Sequence, residues 1–138
     1  HFINDVGGSI CELDDDEVTR ILTKHTMILY IKASKEDEQE LIHRAETDPK
    51  PLYYREEFLD EQLAIYKKEN NIDYVALIDP DEFVRWIFPK LFYSRIPRYE
   101  AIADQYGYTV TTRELYQVRD EADFLELLAT AVGRQSSP

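Results

Sequence analysis

Met27-Ile28-Leu29-Tyr30-Ile31, running into Lys32-Ala33-Ser34, is the stretch on which the fold turns. Its apolar, β-prone residues follow one another without a polar interruption, and polar residues flank the run. A strand buried on both faces reads this way, as in a parallel sheet with helices above and below. No apolar run in the chain approaches the ~20 residues of a membrane-spanning helix, so no membrane is expected among its partners.

Downstream of this strand the punctuation is clear. Ser34 predicts a helix cap with Asp37 three residues on, and Leu41, Ile42 and Ala45 mark that helix's inner face. Asp48-Pro49-Lys50-Pro51 must end it, because the residue before a proline disfavours helix. Glu56 to Glu69 is a second helix, with Phe58, Leu59, Leu63 and Tyr66 at helical spacing. Ile72 to Ile78 fits either a strand or an irregular connection. Asp79-Pro80-Asp81-Glu82 starts another helix, with Asp79 as cap and Glu82 completing a capping box. Pro89 and Pro97 are expected to kink or break it twice, leaving a last segment, Tyr99 to Tyr106, that stops at Gly107. Tyr108 to Thr112 reads as a strand. Asp120 to Val132 reads as an amphipathic helix with Phe124, Leu127, Leu128 and Ala131 inward and Gly133 as its stop.

Upstream, Phe2 to Val6 reads as a short strand leading into Gly7-Gly8-Ser9. Asp14, Asp15, Asp16 and Glu17 then crowd the start of a helix carrying Val18, Ile21 and Leu22, where carboxylates suit the positive end of the helix dipole. The order is strand, helix, strand, helices, strand, helix. It predicts a helix-rich α/β domain with a short parallel sheet over residues 1–132, a helical lid or insertion at about 35–106, and a loose tail at 133–138. Three strands are few for such a sheet, and an exposed edge near Phe2 invites pairing with another chain.

The 138 residues suit one domain. A composition of 43% hydrophobic and 12% aromatic residues excludes intrinsic disorder. The 28 acidic and 16 basic residues leave a net charge of −12, which argues against nucleic acid as a partner, since cations must replace the phosphate counterions. The single Cys11 has no internal disulfide partner, so a buried thiol and a cytoplasmic location are expected. The charge is uneven. From Phe83 to Tyr99 there are four basic residues, Arg85, Lys90, Arg95 and Arg98, and no acidic one. Such a segment in an acidic chain favours an anionic ligand; pairing of these cations with carboxylates elsewhere accounts for it equally.

Two other places carry candidate chemistry. Asp5, at the C-terminal end of an expected strand, lies where α/β proteins bind ligands, and Gly7 and Gly8 let a ligand approach the backbone. A carboxylate there suits Mg²⁺ held through water, or a hydroxyl proton; an Asx-capped tight turn explains the same residues. Arg44 and Arg55 flank the loop containing Lys50, which places three cations where a loop can close over phosphate, or merely connect two helices. His1, His25 and His43 lack a ligand spacing, so no zinc site is expected.

Taken in order, these pieces resemble the C-terminal half of the small P-loop kinases, especially shikimate and gluconate kinase-like proteins. Arg95-Ile96-Pro97-Arg98-Tyr99-Glu100-Ala101-Ile102-Ala103 is similar to the R-x-P-x-Y-x-x-x-A segment of shikimate kinases. Lys50-Pro51-Leu52 resembles their R-P-L lid segment, with lysine in place of arginine, and Tyr30 to Ser34 resembles the strand before the lid. Asp5-Val6-Gly7-Gly8-Ser9 is similar to their Walker B region and substrate turn. The stretch from Leu59 to Lys90 is longer than its counterpart, which reshapes the acceptor pocket, and no G-x-x-x-x-G-K-[ST] occurs in the chain.

The resemblance implies an ATP-dependent phosphotransferase or ATPase whose C-terminal part this chain is, with ATP and Mg²⁺ as cofactors of the longer protein and neither held tightly by this part. It implies Asp5 near Mg²⁺, Gly7 and Gly8 facing the acceptor, Arg44 and Lys50 as lid cations on the transferring phosphoryl group, and Arg95 on an anionic group of a small substrate. Arg98 stands where the motif has an apolar residue, and its role is open. The competing expectation is an acidic protein–protein interaction or regulatory module without catalysis.

Overall fold

The computed structural model describes residues 2–13 and 16–135. After a 3₁₀ turn at Gly7–Glu12 come α1 (Asp16–His25), β1 (Ile28–Lys32), α2 (Lys35–Thr47), α3 (Glu56–Glu69), a 3₁₀ turn at Val75–Leu77, α4 (Pro80–Tyr106), β2 (Gly107–Thr111), the single turn α5 (Thr112–Leu115) and α6 (Glu121–Gln135). The protein is helix-rich with a short two-stranded parallel sheet, an α/β arrangement in the coarse sense. Among the described residues no helix is long and apolar enough to cross a membrane.

The chain divides into two compact units. One comprises His1–Leu13 and Leu41–Arg95, the other Asp14–Glu40 and Ile96–Pro138. In the first, Tyr66, Phe83 and Ile87 are buried, and Leu52, Tyr54, Phe58, Leu59, Leu63, Ile72, Ile78 and Trp86 pack against them. The Tyr66 ring meets Phe83 and Trp86 edge-on, at centroid distances of 5.2 and 5.0 Å. Each such pair adds roughly 0.5–1.5 kcal/mol beyond area burial. The helix expected at Glu56–Glu69 is α3, and its predicted inner face supplies this core.

In the second unit β1 and β2 pair in parallel, Ile28 opposite Gly107 through Lys32 opposite Thr111. Val110 is fully buried and Ala131 of α6 nearly so, with α6 and α5 lying against β2. The close strand approach explains Gly107. A Cβ there would stand 2.5 Å from the Ile28 carbonyl oxygen. Gly107 ends α4 because of the strand it opens, and it does not take the left-handed conformation of a glycine cap.

Several expectations are corrected. Phe2–Val6 is not a strand: its residues are exposed, Phe2 fully, and the sheet has two strands rather than three. The segment turns instead of joining a ladder: the Asp5 carboxylate accepts the Gly7 N–H at 2.9 Å in an Asx turn. β1 is not buried on both faces, since Ile31 is 45% exposed. Of the two alternatives for Ile72–Ile78 the irregular connection is the one found, with a 3₁₀ turn inside it. α4 is not broken at Pro89 or Pro97, and α6 passes through Gly133 to Gln135. Asp79 caps α4 by accepting the N–H groups of Asp81 and Glu82, but the Glu82 carboxylate turns to Arg85 instead of completing a box. The expectations for Asp14, Asp15 and the last three residues of the tail lie outside the described residues.

Candidate functional site

The 3₁₀ turn at Gly7–Glu12 places one carboxylate where the first unit's cations converge. Gly7 adopts φ +54, a conformation that favours glycine, and opens the turn. Cys11 is buried, as expected, and its thiol donates to the Gly8 carbonyl at 3.1 Å. The next side chain, Glu12, is 4% exposed. Arg95 of α4 donates from Nε to Glu12 Oε1 at 2.8 Å, and Arg55, which precedes α3, places its Nε 3.0 Å from Oε2. The Arg95–Glu12 bond is charge-assisted and so stronger than a neutral one, whereas the Arg55–Glu12 contact is an ion pair without a Nε hydrogen bond. Removing one member strands the opposite charge, at a cost of roughly 3–5 kcal/mol.

The segment before α3 completes the cluster. Arg95 also donates to the Tyr53 carbonyl at 2.6 Å, and Arg55 to the Cys11 carbonyl at 3.4 Å. The Tyr54 hydroxyl is buried with no hydrogen-bond partner among the described residues. Burial pushes the Tyr54 phenol up, against the pull of the Arg95 charge.

The expected site residues are placed as follows. Asp5 sits in the exposed Asx turn with Gly7, off any strand, and Gly8 follows. Arg44 is exposed in the last turn of α2, where a cation suits the helix dipole. Lys50 pairs with Asp48 at 3.1 Å, but both side chains are about three-quarters exposed, so the pair contributes little. Among the described residues no hydrogen bond or ion pair links Arg44 or Lys50 to Asp5 or to Arg95. Arg98 is half-buried and belongs to the second unit. Asp5 accepts the Gly7 N–H on one carboxylate oxygen, and the sequence contains no Gly-Lys-[Ser/Thr] of the kind that cradles phosphates. Among the described residues no three His, Cys, Asp or Glu side chains form a group that could hold a metal ion.

Sequence reasoning missed Glu12. Its one signal is an acidic residue set between apolar neighbours in Ile10-Cys11-Glu12-Leu13, where a buried charge requires a partner. It also missed a hub at the C-terminal ends of the strands in the second unit. Asp37 and Ser34 form the expected reciprocal cap on α2, and Asp37 additionally accepts from Thr112 Oγ1 at 2.5 Å and Tyr116 Oη at 3.4 Å. The Thr112 hydroxyl first, and then that of Ser34, hold the Asp37 carboxyl below the usual range. No family of proteins, curated protein or solved structure matches the chain.

Proposed function

We propose that this chain is the C-terminal, acceptor-side part of an ATP-dependent phosphotransferase or ATPase of the P-loop kinase type, without phosphotransfer activity of its own. The observation that carries the reading is the parallel pairing of Ile28–Lys32 with Gly107–Thr111 across a long helical connection. A parallel pair needs such a crossover, and the two strands that pair are those flanking the lid-like stretch. Arg44 and Lys50, exposed on either side of the α2 terminus, are available as lid cations to stabilise charge on a transferring phosphoryl group. Arg95, paired with Glu12 in this structure, is the cation that would take an anionic group of the substrate.

The test has two arms. Calorimetric titration of the 138-residue chain with ATP and Mg²⁺ should give no tight binding, and the chain should not hydrolyse ATP. The longer protein, carrying an upstream Gly-Lys-[Ser/Thr] turn, should turn over ATP and lose about 10²-fold or more in rate on Lys50→Ala or Arg44→Ala. ATP turnover by the isolated chain, or a longer protein without that turn, sinks the reading.

A second reading, an acidic interaction module without catalysis, is favoured by the Glu12–Arg95 pair, because an internal carboxylate already answers the cation expected to take a substrate. Arg95→Ala separates the two. It abolishes turnover in the longer protein under the first reading and weakens a protein contact under the second, and urea unfolding of the variant separates either effect from the stability lost with the Glu12 pair.

A further inference from the structure

Glu12 does for Arg55 and Arg95 what a bound anion would do. Its two carboxylate oxygens are divided between them, Oε1 to Arg95 and Oε2 to Arg55, and the acid is nearly shut off from water. The place therefore accepts an oxyanion, because it already holds one. Glu12 is carried on a short turn at the end of a non-regular segment. It ends a 3₁₀ run of six residues, longer than the three or four this helix type sustains, and the chain before that run is exposed and outside regular structure. The cluster is also unfinished. The Tyr54 hydroxyl, on the residue next to Arg55, is buried with no hydrogen-bond partner among the described residues, and both Glu12 oxygens lie against guanidinium groups. A phosphate has further oxygens with which to meet it.

We propose that Glu12 is an internal ligand that closes an oxyanion site built from Arg55, Arg95 and Tyr54, and that a phosphate-type ligand binds there by exchanging with Glu12. The contact is autoinhibitory: the site is shut until the Gly7–Glu12 turn moves away. This rests on the kinase reading for what the ligand does in the longer protein, while the exchange itself is a property of this chain.

The experiment is titration of the purified chain with inorganic phosphate and, separately, acetate, following the backbone amides of Tyr53, Tyr54 and Arg95 by NMR. Glu12→Gln should bind phosphate at least about tenfold tighter than the parent, a difference of ~1.4 kcal/mol, and prefer it to acetate. Adding Arg95→Ala should remove the gain, and adding Tyr54→Phe should remove the preference for phosphate. Glu57→Gln, which deletes one exposed charge on α3, should leave phosphate binding unchanged. No gain in Glu12→Gln, or the same gain in Glu57→Gln, overturns the proposal. Should circular dichroism find Glu12→Gln unfolded, Glu12→Asp keeps the charge but retracts it by one methylene. A gain of about threefold then supports the exchange and its absence overturns it. ATP turnover by the longer protein without exchange here fails this proposal alone; exchange without turnover fails the kinase reading alone.

Discussion

Glu114 is held from three directions. The Arg134 guanidinium donates to it first, then the Thr111 backbone and hydroxyl, and together they bring its carboxyl down to about 2. A carboxylate whose folded value is depressed adds stability above its unfolded value near 4.5, and that stability disappears as pH falls through about 2. Glu114→Gln should therefore lower Tm at neutral pH, and the gap to the parent should close between about pH 4.5 and 2 in a thermal melt series. Gly107 makes a steric prediction at the same scale. Gly107→Ala drives a methyl into the Ile28 carbonyl, which belongs to a paired strand and cannot turn aside. A loss of roughly 1–3 kcal/mol is expected from urea unfolding, and an unchanged midpoint would contradict the close approach.

At the scale of elements, α4 shows where local rules yield. An interior proline costs about 3 kcal/mol relative to alanine. Against that, Phe83, Ile87 and Leu91 recur on one face and are all buried, each contributing roughly 1.5–3 kcal/mol. Together they supply about 4.5–9 kcal/mol, comparable with the roughly 6 kcal/mol cost of Pro89 and Pro97, and the helix continues. Pro89→Ala restores an N–H for the Arg85 carbonyl and should raise stability by about 1–2 kcal/mol, the propensity gain less the lost ring contacts, read from the same urea curves. The caps at Ser34 and Asp79 and the whole of α3 were legible because each depends on residues within one or two turns. The segment Phe2–Val6 misleads because strand-like composition makes a strand only where the fold brings another strand alongside, and here the sheet is β1 with β2.

At the scale of the whole molecule, charge governs. A net charge of −12 makes the folded chain repel itself, while several of its ion pairs are too exposed to offset this. Raising NaCl from about 0.01 to 0.5 M should screen the repulsion and raise Tm, because the Debye length falls from ~30 Å to a few ångströms. A falling Tm would mean that attractive pairs dominate instead. The four cations between Phe83 and Tyr99 do not act as one patch: Arg85 bonds to Glu46 and Glu82, Lys90 lies over the Trp86 ring, and Arg95 is taken by Glu12.

The amino-acid order by itself determined that α1, α2, α3 and α6 are helices, that Ser34 and Asp79 cap, that β1 and β2 are strands and that the chain is acidic, since these follow from spacing, side-chain chemistry and charge that neighbours in sequence share. The tertiary structure alone decided that Phe2–Val6 would stay outside the sheet, that α4 would survive its prolines and that Arg95 would meet Glu12, 83 positions away. Each of these depends on which distant groups meet, and on whether the energy of that meeting exceeds the local preference it overrides.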